Sequence, residues 1–263
     1  MDTEEIDFSF LDRPEILQIA FYPRKSAIKP SKPNAKNYFV EVEKGVKIGC
    51  RFYTKAIGCP SLLYFHGNGE IVDDYDWSAT FYNEIGINLF VADYRGYGFS
   101  DGSPTVTNMI RDSYQIFTDF RKIVEEFGSK SLFVMGRSLG SIPAIEVVCH
   151  YQNEVHGLII ESAPANNLRQ YLTHLIPANH PIWSNNSKFL SKVRIRSISR
   201  PTLIIHAEYD TLIPLEEGKE LYENSGAKDR RFEIIPNSDH NDLMIMGKEQ
   251  YFKAIEEFIK THN

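Results

Sequence analysis

"FVMGRSLGSI", residues 133–142, places four residues of buried-strand character ahead of a serine held between two glycines, with a helix-like run behind it. A turn that needed small residues would explain the glycines, and so would a nucleophile raised at a sharp corner. The pattern Gly136-Arg137-Ser138-Leu139-Gly140 is G-x-S-x-G; it follows "SLFVM" (131–135) and opens the apolar-periodic "SIPAIEVVCHY" (141–151). Strand, turn and helix in that order are the setting in which such a serine stands exposed above a sheet. At so sharp a turn a larger side chain at 136 or 140 would meet a neighbouring strand or helix. The first amides of the following helix also favour negative charge developing beside Ser138.

A serine hydroxyl is a weak nucleophile at neutral pH, so this reading requires a histidine base and a carboxylate that orients it, in the chain order Ser, Asp or Glu, His. Among the eight histidines, His66 and His206 close strand-like runs, His150 and His156 flank a helix end, His174 and His180 lie in a long irregular interval, and His262 is in the tail. His240, in "IIPNSDHNDL" (234–243), combines a strand exit with the required order. Asp210, ending "TLIIHAEYD" (202–210), and Glu161, ending "GLIIE" (157–161), are the two candidates for the acid. The oxyanion of a tetrahedral intermediate needs backbone amides. Leu139 supplies one; the loop His66-Gly67-Asn68-Gly69 supplies the other, from Asn68 or alternatively Gly69. Arg137, beside the serine, is either structural or faces substrate.

Working outward, "SLLYF" (61–65), "INLFVADY" (87–94), "TLIIHA" (202–207) and "FEIIP" (232–236) join the two strands above as continuous apolar runs, the signature of strands buried on both faces. "YFVEVE" and "VKIGCRFYT" alternate around Lys44-Gly45 as an antiparallel hairpin. Ile110, Tyr114, Phe117, Phe120, Val124 and Phe127 share one helical face over 105–128, closed by Gly128. Strands alternating with helices predict an α/β domain spanning 1–263, a mostly parallel sheet with helices on both faces and its site at the carboxyl ends of the strands. An N-terminal arm over 1–36 ends in the linker-like "KPSKPNAKN" (29–37). Residues 166–200 are too long for an ordinary connection and read as an inserted lid. In it Leu168, Tyr171, Leu172, Leu175 and Ile176 repeat at helical spacing, as core packing or as the apolar underside of an acyl pocket.

The 263 residues are 42% hydrophobic and 24% charged, as in ordinary soluble globular proteins, and the formal charge of −6 lacks the basic footprint of a nucleic-acid binder. The basic run "KVRIRSISR" (192–200) reads as a solvated face, or else as a holder of an anionic head group. No stretch approaches the roughly 18–20 apolar residues of a membrane span, and the acidic start lacks the positive region of a signal peptide. With three scattered cysteines, the expectation is a cytoplasmic protein. Gly96, Gly98 and Gly102 in "DYRGYGFSDGSP" (93–104) do not give G-x-G-x-x-G, and no histidine pair has metal-site spacing, so neither a cofactor nor a metal is expected.

Taken together, "HGNGE", "DYRGYGFSDGSP", "GRSLGS", "ESAPA", "LIIHAEYDTLIP" and "SDHNDL" resemble, in order, the α/β-hydrolase superfamily over residues 37–263. "LDRPEILQIAFYPR" (11–24) looks like the N-terminal segment of the small serine hydrolases that include protein depalmitoylating thioesterases. The resemblance implies an eight-stranded sheet with the second strand antiparallel, and a Ser138, Asp210, His240 triad. The expected function is hydrolysis of a carboxylic ester or thioester of a small-molecule or acylated substrate through an acyl-enzyme. Acyl transfer or lyase chemistry on the same scaffold, and a binding protein that keeps the three residues as ligand contacts, are the alternatives.

Overall fold

The computed structural model of the protein describes residues 7–28 and 32–263, with the side chains of Gln170 and Tyr171 outside the description. Among the described residues the strands are β1 Ala35–Glu43, β2 Val46–Tyr53, β3 Ser61–Phe65, β4 Asn88–Ala92, β5 Leu132–Arg137, β6 Gly157–Glu161, β7 Thr202–Ala207 and β8 Arg230–Ile235. They form one sheet in the order β1-β2-β4-β3-β5-β6-β7-β8. The expected hairpin is β1–β2, turning at Gly45 with φ +78°. β2 also runs antiparallel to β4, and the pairings from β4 through β8 are parallel. The helices are α1 Pro14–Ala20, α2 Ala79–Glu84, α3 Val106–Glu126, α4 Ser141–Tyr151, α5 Pro181–Asn185, α6 Ser191–Arg194, α7 Leu215–Asn224, α8 Leu243–Met246 and α9 Lys248–His262.

The continuous apolar runs feed two cores because successive side chains of a strand point to opposite faces. In β3, Leu63 and Phe65 pack with Phe117 of α3, Val147 of α4 and Leu221 of α7 in one cluster. Leu62 and Tyr64 join Tyr82 of α2 and Ile255 and Phe258 of α9 in the other. The amphipathic helix expected over 105–128 is α3. Thr105 caps it by accepting the Asn108 N–H at 3.0 Å, and Gly128 follows at φ +82°. Ile110, Phe117, Phe120 and Val124 of its expected face are buried, Tyr114 and Phe127 partly so.

Two expectations shift. β1 begins at Ala35, inside the arm expected over 1–36, because Ala35 and Lys36 pair with Tyr53 and Phe52. The linker expected at 29–37 falls partly, at 29–31, outside the described residues. Phe8, Leu11, Ile16, Ala20 and Phe21 of the arm are buried in the first core. The interval 166–200 holds a 3-10 turn at Arg169–Leu172 and the short α5 and α6 in place of one amphipathic helix. Pro177 removes a donor from any continuation of that turn. Of the expected stripe, Leu168, Leu172 and Ile176 are buried, Leu175 is exposed, and the Tyr171 side chain is outside the described residues. From the basic run, Lys192 pairs with Glu220 at 2.8 Å and Arg194 with Glu146 at 2.6 Å, so these two cations hold α6 to α7 and α4. Among the described residues no helix is long and apolar enough to cross a membrane.

Candidate active site

β5 ends at Arg137 and α4 starts at Ser141, so the chain reverses direction within the three residues Ser138–Gly140. Ser138 takes φ +51°, a left-handed conformation uncommon for a residue with a side chain. Both flanking glycines are sterically required. A Cβ on Gly136 would lie 2.3 Å from the Gly140 carbonyl oxygen, and one on Gly140 would lie 2.1 Å from the carbonyl oxygen of Phe65 and 2.6 Å from that of His66. The second clash shows how closely the loop after β3 passes over the corner.

The carboxyl ends of β7 and β8 deliver the other two residues. His240 Nε2 lies 3.1 Å from Ser138 Oγ, and its Nδ1 lies 2.8 Å from Asp210 Oδ2. A carboxylate can only accept, so Nδ1 carries the hydrogen and Nε2 is left to accept from the serine hydroxyl. Asp210 Oδ1 accepts the N–H groups of Leu212 (3.0 Å) and Ile213 (2.7 Å), which fix its plane. Burial pushes the Asp210 carboxyl up, but the His240 hydrogen bond and charge, together with the Ile213 N–H, more than reverse this and hold it below the usual carboxylate range. The rival acid, Glu161, does not meet His240. It accepts from Arg137 Nε (3.1 Å), Tyr64 (3.2 Å) and Tyr251 (2.7 Å).

In the loop after β3 the Asn68 side chain is fully engaged. Its Oδ1 accepts from the Tyr22 N–H (2.9 Å) and the Tyr97 hydroxyl (2.7 Å), and its Nδ2 donates to the Ala20 carbonyl (3.1 Å). Arg24 donates to the Gly69 carbonyl at 3.1 Å, so the N-terminal arm braces the loop at two successive residues. His66 lies beneath it. Its Nδ1 faces the Gly67 carbonyl at 2.8 Å and must donate, while Nε2 faces Asp93 Oδ1 at 3.1 Å. Burial alone would push the ring down, but the Asp93 hydrogen bond and charge, with Glu70 and the Gly67 carbonyl, raise it above the ordinary histidine range. Burial pushes the Asp93 carboxyl up in turn, with the His66 hydrogen bond and charge and the Val72 N–H opposing it.

The structure thus brings Ser138, His240 and Asp210 into one hydrogen-bonded chain, with Leu139 in the corner after the serine and Asn68 in the loop after β3, whose Phe65 and His66 carbonyls reach Gly140. Arg137 points to the opposite face of β5, buried between Glu70 and Glu161. Sequence reasoning missed the His66–Asp93 pair: Phe65 and Ala92 are register partners in β3 and β4, which makes the next residue of each strand adjacent, and that register is not written in either strand alone.

A family model described as serine aminopeptidase, S33, matches residues 59–197, just over half of the chain. Bem46 of Schizosaccharomyces pombe is 28% identical over 210 residues, covering 78% of this chain and 68% of that protein. Lysophosphatidylserine lipase ABHD12 of Danio rerio is 29% identical over 230 residues, covering 71% of this chain and 58% of that protein. The chain spans between 58% and 68% of the length of these two relatives. Among solved structures, the esterase Pf2001 of Pyrococcus furiosus superposes with a TM-score of 0.72 at 20% identity, covering 91% of this chain and 98% of that one, a likeness of fold. Fold, family model and relatives agree: the chain belongs to the serine aminopeptidase S33 family, on the α/β-hydrolase scaffold.

Proposed function

We propose that the protein is a serine hydrolase that cleaves a carboxylic ester or thioester through an acyl-enzyme on Ser138. The observation that carries this reading is the chain from Ser138 Oγ through both nitrogens of His240 to Asp210, set on a strained corner. His240 Nε2 takes the hydroxyl proton as Ser138 Oγ attacks the carbonyl carbon, and Asp210 holds the imidazolium that forms. The amides of Leu139 and Asn68 receive the oxyanion, and the Asn68 backbone is favoured over Gly69 because its side chain is tied at three points. The leaving alcohol or thiol takes the proton back from His240. Water, activated by the same nitrogen, then releases the acid. The names of a relative, a lysophosphatidylserine lipase, and of a neighbour in fold, an esterase, support an ester bond as the target.

The test is labelling by a fluorophosphonate probe together with turnover of short p-nitrophenyl esters. Wild-type protein should label at Ser138, and Ser138→Ala should lose label and about 10⁶-fold in turnover, as for serine nucleophiles in proteases. Ser138→Ala protein retaining a tenth of the parent's rate overturns the reading.

A further inference from the structure

The residue beside the nucleophile carries a separate role. Arg137 is the last residue of β5, and strand alternation directs its side chain away from Ser138. Its guanidinium is nevertheless tied to two of the loops that complete the site. Nη2 donates to the His240 carbonyl at 2.6 Å and to Asn241 Oδ1 at 3.0 Å, so it holds the backbone of the base itself. Nη1 pairs with Glu70, whose Oε2 accepts the Gly67 N–H at 2.8 Å and the Tyr75 hydroxyl at 2.7 Å. The other edge of the fork, Nε, reaches Glu161 at 3.1 Å.

The surroundings are built for this fork. A Cβ on Gly67 would lie 2.6 Å from Arg137 Nη1 and 3.2 Å from Glu70 Oε1, so the glycine before Asn68 gives up its side chain to admit the guanidinium. Glu161, the second anion facing a single cation, is compensated by the hydroxyls of Tyr64 and Tyr251. Burial disfavours charge on Glu70, yet Arg137 above all, with His66, Tyr75 and the Gly67 N–H, keeps it ionised below the usual range.

We propose that Arg137 is a positioning residue that ties the loop of the base, His240-Asn241, to the loop of the oxyanion donors, Gly67–Glu70, through one buried guanidinium. The two loops follow β8 and β3, which are not neighbours in the sheet. Backbone pairing therefore does not fix their separation, and a side chain that contacts both does. Lysine would keep the charge but not the planar fork that serves separate partners at once. The proposal rests on the serine-hydrolase reading.

The experiment is a double-mutant cycle read by the rate of fluorophosphonate labelling at Ser138 and by pre-steady-state acylation. Glu70→Gln weakens the hold on one loop, and Asn241→Ala, at an exposed position, loosens the other. Each single variant should slow acylation several-fold with KM little changed. The pair should be slowed less than the product of the two singles by at least about threefold, the coupling expected of residues sharing one partner. Arg137→Lys should slow acylation about 100-fold, the size of effect a 1 Å misplacement produces, and adding Asn241→Ala to it should change little. Independent, multiplicative effects in the cycle overturn the clamp, as does an Arg137→Lys protein that loses thermal stability while acylating at the parent rate. If the wild-type protein itself fails to label, the hydrolase reading falls and the clamp with it; if it labels and the cycle is multiplicative, only the clamp falls.

Discussion

Tyr97 donates its hydroxyl hydrogen to Asn68 Oδ1 at 2.7 Å while accepting the Tyr22 N–H at 2.9 Å. The side chain before the glycine of "NG" is thus gripped from two remote parts of the chain, the N-terminal arm and the loop after β4. Tyr97→Phe removes one of the two donors to Asn68 Oδ1 and one of the two acceptors of the Tyr22 N–H, which leaves the bond from Tyr22 to Asn68. Losing such a hydrogen bond costs about 0.5–1.5 kcal/mol. Where that cost appears as disorder of the oxyanion loop, kcat should fall roughly tenfold with KM nearly constant. Steady-state kinetics on p-nitrophenyl acetate decide the matter. An unchanged kcat with a lowered thermal midpoint would make the grip a matter of stability alone.

Asp210 and Glu161 stood as rival acids, and their contacts now separate them. Asp210→Asn should lower turnover by about 10⁴-fold, because the amide favours the wrong tautomer of His240. Glu161→Gln should lower turnover less and cost more in thermal stability, since it leaves Arg137 with one carboxylate partner in a buried cluster. Turnover and melting measured on the same two preparations check this. The opposite ranking in turnover, with both variants folded, would return the acid's role to Glu161.

The acid limb of the pH–rate profile should be a single titration. Only neutral imidazole accepts the serine proton, so kcat/KM should rise with pH on this limb. Asp210 is held below the usual carboxylate range, so it stays ionised across that limb. The same depression has a sign for stability: a carboxyl lowered on folding stabilises the native state above its unfolded value, and that contribution is lost as pH falls through the lowered one. A limb that needs two protons would put Asp210 on the profile and contradict the depression.

The architecture was legible because burial on two faces leaves a strong trace. A strand such as Leu62-Leu63-Tyr64-Phe65 must be apolar throughout to serve both cores. Glycine left a trace as well, since Gly136 and Gly140 each exclude a Cβ by contact with backbone. Asp210 and His240 were found through chain order, which the chemistry imposes. The roles of Arg137, His66 and Tyr97 were not legible, because each depends on partners separated by 27 to 103 residues. No local pattern encodes a contact of that range. The stripe at 168–176 misled for the opposite reason: helical spacing was present, but tertiary burial of Leu168, Leu172 and Ile176 was achieved on a turn.

Trp183 decides between the two readings of the 166–200 interval. It is 3% exposed, with its ring 6.4 Å edge-on to Phe10 and the Arg169 guanidinium 5.9 Å from its face. Phe10 in turn meets Phe189 at 6.0 Å, and Phe189 meets Phe8 at 5.5 Å. An aromatic cluster therefore joins the interval to the N-terminal arm. Truncating a buried tryptophan to alanine costs about 3–5 kcal/mol, so Trp183→Ala should lower the thermal midpoint by on the order of 10 °C for a chain of this size. Trp183→Phe keeps the apolar contact and removes an indole N–H without an acceptor among the described residues, so it should sit near the parent. Neither variant should move the preferred acyl chain length. An acyl pocket under a lid predicts the reverse, because each methylene contacting Trp183 contributes about 0.8 kcal/mol and its loss would shorten or lengthen the optimum. Rates across a series of p-nitrophenyl esters, measured beside the melting curves, separate the two. A shifted optimum with an unmoved midpoint would make the interval a substrate-binding lid after all.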